Sequence, residues 1–419
     1  MDKTIELDGY RLHLIPTKKF KNITICLKMA APLTRQTTTL RTLLSFMFTG
    51  GTKKYNTSKK FSSYLEDLYG ASFSSSIATK GQAHVITLIS RFVDEQYLKN
   101  EDHFFEKQIQ LLHDILFDPN IEEDHFKESV FNQKKQELKW RLQSLKDDKY
   151  SYSLERLFQE MGENQTLGIS TFGYEEDLDQ ITSKQLYDYY LQCIQNDKID
   201  LYIVGDLPEN GLDIIKNKLI FTKREQEIAS SLIFKSTKTE VKVIEERQDL
   251  VQAKLNIGYT INTDFTSSDH YAFTIFNGIL GGFSHSLLFK NVREKNSLCY
   301  YISSSYDVFN GIMIINAGIE TKNYQKTMDL IHEQLETIQK GEFDPSLLDI
   351  TKTMFENSLK KTDDDALNII ALKYNRDITN KEETNEQYRQ KLNQITLDDV
   401  IRVSKKVKLD TVYLLAGKE

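Results

Sequence analysis

Two groups of residues have the types or the spacing to bear on chemistry. The first lies in the stretch LRTLLSFMFTGGT, where Thr42, Ser45 and Phe46 stand at i, i+3 and i+4. On a helix that spacing brings three side chains to one point, the arrangement a metal-binding helix uses. The residue types do not serve it. Zinc takes imidazole, thiolate or carboxylate donors, and two hydroxyls with a phenyl ring cannot hold a divalent ion strongly. The chain's eight histidines (13, 84, 103, 113, 125, 270, 285 and 332) contain no pair at i, i+3 or i+4. The second group is Arg293 and Tyr300, seven residues apart in REKNSLCY. Guanidinium and phenol are both hydrogen-bond donors, but their spacing alone assigns them no ligand. The plain alternative makes Arg293 a solvated helix residue and Tyr300 a half-buried strand residue.

Weaker signals resolve toward structure. Gly282-Phe283-Ser284-His285-Ser286 lacks the second glycine of a nucleophile elbow and follows no clear strand. Cys26, Cys193 and Cys299 are odd in number, far apart and in no paired motif, which reads as a reduced protein with Cys299 a small buried hydrophobe. The acidic runs Glu175-Glu176-Asp177 and Asp363-Asp364-Asp365 read as solvated loops or helix starts.

The elements that must position these residues follow from periodicity. Leu40, Leu43, Leu44 and Met47 make one apolar helical stripe, and Gly50-Gly51 stops the helix. Strands are expected over 3–15 and 21–30, with a strand pair over LYGASFSSSIATKG and AHVITLISRFV. Helices are expected over 101–116, 122–144 and 182–195, and a strand at DLYIVGD. The pattern then begins again. IEERQDLVQAKLNIGYTI reads as two strands, 271–280 as a helix stopped by Gly281-Gly282, and Tyr324–Ile338 as a helix ending at Gly341. Phe343-Asp344-Pro345 follows that helix as Phe117-Asp118-Pro119 followed the earlier one. Shared punctuation in the same order predicts a tandem duplication. It gives an N-terminal domain over 1–221, a linker over 222–242 and a C-terminal domain over 243–419. Hairpin-grouped strands with helices between them predict an α+β fold, each domain a mainly antiparallel sheet with helices packed on it.

Composition narrows the function class. A chain of 419 residues with 39% hydrophobic content exceeds one ordinary core. A net charge of −7 argues against a nucleic-acid partner. No run approaches the roughly 18 to 20 apolar residues that span a bilayer, and the start MDKTIELDGYRL lacks a signal-peptide pattern. A cytoplasmic protein is expected.

At FTGGTKKY, Phe48 to Tyr55, the sequence resembles the pitrilysin-type, or insulinase-like, zinc peptidase family, and the resemblance covers nearly the whole chain. That family places an inverted H-x-x-E-H motif just before such a turn. Counting back sets Thr42 and Phe46 at its two histidines and Ser45 at its glutamate. The family's third ligand comes from a later helix, a glutamate seven residues after another. FNQKKQELKWRL sets Lys134 and Arg141 at those positions. The resemblance therefore implies a degenerate metal site at Thr42, Ser45, Phe46 and Arg141, with no metal in this chain and Phe46 filling its space. It also implies that Arg293 and Tyr300 match the C-terminal substrate-binding motif, and that Leu68–Ile77 is a sheet edge where substrate adds as a strand or else an ordinary hairpin strand. Active members enclose peptides in a chamber of four such domains, in several cases divided between a zinc-bearing and a zinc-less chain. The expected role is the non-catalytic, substrate-binding subunit of a two-component zinc metallopeptidase. Its partner would be an H-x-x-E-H paralogue carrying the zinc, in a heterodimer, or the chain would self-associate. Among bacterial members the likeness is to the zinc-less chain associated by name with elongation factor P modification. A structural scaffold with no proteolytic role is the alternative.

Overall fold

The computed structural model describes residues 2–99, 103–222 and 233–418. They form two compact units. One comprises Met1–Ser144, Ser170–Ala229 and Ala366–Ala371, the other Leu145–Ile169, Ser230–Asp365 and Leu372–Glu419.

In the first unit the expected strand over 3–15 is a hairpin, β1 (Lys3–Leu7) and β2 (Tyr10–Pro16). It turns at Gly9, whose φ of +83° glycine adopts without a Cβ penalty. β3 (Asn22–Pro32) precedes α1 (Thr38–Met47) and α2 (Ser58–Asp67), and the hairpin β4 (Ser72–Lys80) with β5 (Ala83–Val93) follows. Next come α3 (Phe104–Phe117), a small ribbon of β6 (Ile121–Glu122) with β7 (His125–Phe126), and α4 (Glu128–Asp147). The sequence expectation of helix from 122 is corrected here: Glu123 has positive φ and the ribbon turns there, so the helix begins at Glu128. The helix Ser183–Asn196 carries a capping box, with Thr182 and Gln185 each bonded to the other's backbone, and leads into β8 (Lys198–Gly205).

The sheet order is β1-β2-β8-β3-β5-β4. β2 and β8 are parallel and the other pairs antiparallel. β4 is an edge strand, with Ser72, Ser74, Ser76 and Ala78 exposed.

The second unit holds β9 (Lys242–Gln248), β10 (Ala253–Thr260), β11 (Cys299–Asp307), β12 (Ile312–Ile319) and β13 (Lys408–Gly417). Their order is β11-β12-β10-β13-β9, with β13 and β9 parallel. Reading β9, β10, β11, β12 and β13 as the repeats of β2, β3, β4, β5 and β8 reproduces the first unit's order and its one parallel pair. The duplication is thus visible as topology. After helix His270–Asn277, residues Gly278–Gly282 and Leu288–Lys295 wind as π-helix, a wide turn often found at functional positions.

The helices at 149–161, at 211–218 and between 346 and 404 are absent from the sequence expectation, and the first of these bears on the second unit's core. After Asp147-Asp148 the chain forms α5 (Lys149–Met161), N-capped by the Asp148 carboxylate, and this helix packs on the second unit's sheet. Strand periodicity explains why that sheet needs two covers. Met313, Ile315 and Ala317 of β12 join the core under the helices. Ile312 and Ile314 alternate to the other face and bury with Leu157 and Met161 of α5, Phe234, and Tyr413 and Leu415 of β13. Of the predicted linker 222–242, residues 223–232 lie outside the described residues. Beyond them Lys238 Nζ donates to Met161 O (2.7 Å) and Asp410 Oδ1 (3.1 Å). No described helix is long and apolar enough to cross a membrane.

Candidate functional site

α1 is buried on both faces. Leu43, Leu44 and Met47 enter the first unit's core, while Thr42 and Ser45 on the opposite side are also buried. A segment distant in sequence, 170–174, covers that polar side. Thr38 Oγ1 donates to Ser170 O (2.7 Å), and Thr42 Oγ1 donates to Thr38 O (2.9 Å) and Thr171 O (3.3 Å). Ser45 Oγ donates to Thr42 O (2.7 Å). Gly173, at φ +82°, allows the approach: a Cβ there would lie 2.6 Å from Thr39 Cα. Phe46 is half-buried against the same core.

His84 on β5 completes the closure. Its Nε2 donates to Thr171 O (2.9 Å), which leaves Nδ1 buried without a partner. Burial, reinforced by the Arg41 guanidinium, holds its pKa down to about 3, so the ring is neutral. Arg41, on α1 between the residues considered above, is wholly buried. It donates to Asp197 Oδ2 (2.5 Å), Met29 O (2.6 Å), His84 O (3.0 Å) and Cys193 Sγ (3.4 Å). Desolvation opposes its charge, but the Asp197 carboxylate outweighs this and raises its pKa. Sequence reasoning missed Arg41. The available signal was a charged residue flanked by the leucines of an apolar stripe.

α4 brings the remaining two positions to the same region. Lys134 is buried, and its Nζ donates to Glu137 Oε2 (2.8 Å). Arg141 is exposed, its guanidinium 5.6 Å from the centroid of the Phe172 ring. The donor set at the four aligned positions is thus two hydroxyls committed to main-chain carbonyls, a phenyl ring and a permanent cation. These residues do not fit zinc, which requires lone pairs on imidazole, thiolate or carboxylate.

Elsewhere, the ligand atoms of His113, Asp114 and Asp118 lie within 4.8 Å of one another. Asp114 Oδ1 there accepts a hydrogen bond from Gln110 Nε2 (2.7 Å), and the group is partly exposed.

In the second unit the sequence-predicted pair is free to donate. Arg293 lies in the π-helical turn, exposed, with its guanidinium 4.6 Å from the Phe289 ring centroid. Tyr300 is 65% exposed. The register of β11 against β12 shifts between Cys299 and Tyr301, a bulge that throws Tyr300 out of the ladder. Neither residue has an ion-pair or hydrogen-bond partner among the described residues. The Cys299 thiol beside them is buried and pushed up to about 11, although the Arg293 charge opposes the shift. A thiol so placed is not a nucleophile. His285 Nε2 is engaged with Thr351 Oγ1 (2.8 Å), which leaves the Gly282–Ser286 stretch without a catalytic dyad.

Comparison with known proteins follows the same lines. Residues 180–355 match the family model described as the peptidase M16 inactive domain. Over 98% of its length the chain is 37% identical to the "probable inactive metalloprotease YmfF" of Bacillus subtilis, covering 96% of that protein. A conserved protein from Enterococcus faecalis is similar in structure, with a TM-score of 0.93 and 32% identity over 100% of this chain and 99% of that one. A protease from Helicobacter pylori shares the fold with a TM-score of 0.82 at 16% identity, over 99% of each chain.

Proposed function

The chain belongs to the peptidase M16 family as an inactive homologue, and from that premise we propose that it is the non-catalytic, substrate-binding subunit of a two-component metallopeptidase acting on peptides. The observation that carries this reading is a contrast between the two units. At Thr42, Ser45, Phe46 and Arg141 the chemistry of a metal site is replaced, whereas Arg293 and Tyr300 stand exposed with unused donors. A chain selected only to hold a fold has no need of an unpaired guanidinium and a phenol aimed out of a bulge. A chain that grips a peptide backbone needs donors of this kind.

The zinc belongs to a partner carrying the H-x-x-E-H motif. This chain supplies Arg293 and Tyr300 to the peptide, and the open edge of β4 offers main-chain hydrogen bonds to an extended substrate. The test reconstitutes the full chain with its zinc-bearing paralogue and follows turnover of a fluorogenic peptide. R293A and Y300F are each expected to lower turnover at least tenfold while the two chains still co-elute. Unchanged turnover would favour a structural scaffold instead. Zinc bound in stoichiometric amount to the isolated chain, by elemental analysis, would overturn both readings.

A further inference from the structure

Arg141 is an exposed cation that no described carboxylate neutralises. The carboxylates near it in sequence or on the covering segment are engaged elsewhere: Glu137 with Lys134 (2.8 Å), Glu175 with Gln143 (2.8 Å), Asp177 with Arg35 (2.6 Å). Among the described residues Arg141 has no ion pair, and its one specific contact is the face of Phe172 at 5.6 Å. An arginine beside a ring face keeps its fork of donors available for a planar anion.

Its position is tied to the sheet edge through a single residue. Thr171, next to Phe172, accepts from Thr42 through its carbonyl (3.3 Å), and its hydroxyl lies 3.4 Å from that of Thr79 on β4. The covering segment that carries Phe172 thus also reaches the Thr79 end of the open edge strand.

We propose that Arg141 is a carboxylate-binding residue, which receives the C-terminal or side-chain carboxylate of an extended peptide seated along β4. At a position aligned with a metal ligand of active relatives this chain carries an organic cation, which selects an anion. Carboxylate fits better than an apolar side chain because the guanidinium would otherwise be desolvated without a partner. This inference rests on the peptide-binding reading above.

Trp140, the chain's single tryptophan, is 62% exposed beside Arg141 and serves as the reporter. The full chain is titrated with three probes: an N-acetylated neutral strand-forming peptide with a free C-terminal carboxylate, its C-amidated twin, and an amidated version with one internal glutamate. Binding is read by Trp140 fluorescence and by calorimetry. At least one carboxylate-bearing peptide is expected to bind wild-type protein about tenfold more tightly than R141Q, and the neutral twin to bind both equally. Whichever carboxylate shows the difference identifies its source. R141K is expected to fall between them, since lysine keeps the charge without the bidentate fork. Equal binding of all three peptides by wild type and R141Q overturns this proposal and leaves peptide binding intact. Failure of every peptide to bind wild-type protein removes the peptide-binding reading itself.

Discussion

Arg41 has no contact with solvent, and its donors are spent on one carboxylate, two main-chain carbonyls and a thiol. Such an ion pair is costly to form, and removing one member leaves an uncompensated buried charge. D197A is therefore expected to destabilise the protein by about 3–5 kcal/mol, measured as a lowered urea midpoint. Replacing both members by apolar residues of similar volume should recover much of that loss, since the desolvation cost disappears with the charges. A D197A midpoint within error of wild type would show that the pair is not the structural anchor its geometry describes. At the aligned metal positions the residue scale works differently. Thr42 and Ser45 are small, and their hydroxyls cap main-chain carbonyls inside a packed region, a neutral arrangement with no role for a cation.

At the level of elements, α5 decides how the second unit is closed. Asn316 Nδ2 donates to Asn256 Oδ1 (2.5 Å), and Asn256 Nδ2 donates to Ser153 Oγ (2.8 Å), a buried chain running from β12 through β10 to α5. Apolar packing by Leu157 and Met161 supplies the attraction, and the amide chain fixes where along the sheet the helix sits. N256A leaves the Asn316 amide without its acceptor and cuts the link to Ser153, whose hydroxyl keeps its bond to Tyr150 O, at a cost of about 1–3 kcal/mol. The expected readout is faster limited proteolysis within 145–169, with the first unit's fragments unaffected. Unchanged cleavage would mean that apolar burial alone holds the helix. The bulge in β11 is the other element with a consequence. By breaking the ladder at Tyr300 it both exposes the phenol and blunts one end of an edge strand.

The whole molecule sums its titrating groups. His84 and His270 each have a pKa held down to about 3, first by burial and then by a neighbouring cation, Arg41 or Lys381. In the unfolded chain both return to about 6.5, so below that pH the unfolded state binds more protons and stability falls with pH. Each histidine contributes a slope of about 1.4 kcal/mol per pH unit between its two values. The lowered carboxylates, Asp177, Asp269 and Glu383 among them, lose their contribution only further into acid, as pH falls through their depressed folded values. Urea midpoints are therefore expected to drop between pH 7 and pH 5, a window that belongs to the histidines. A flat midpoint over that range would mean that both rings reach solvent before they charge.

The sequence by itself carried whatever is local. The α1 stripe, the glycines that end helices, the repeated strand–helix punctuation and the order of elements all follow from periods of two and 3.6 residues. The side-chain types at positions 42, 45 and 46, and the chemistry closed to them, are equally a matter of sequence. Tertiary structure decided what depends on partners far along the chain. Thr42 is silenced by Thr171, Arg41 by Asp197, and α5 is claimed by a sheet that it meets through Asn256, 103 residues on from Ser153. Periodicity gives the face a residue occupies but not which distant carbonyl, carboxylate or apolar surface will cover it. For α1 that difference matters most, because its polar face is buried under a segment more than a hundred residues downstream.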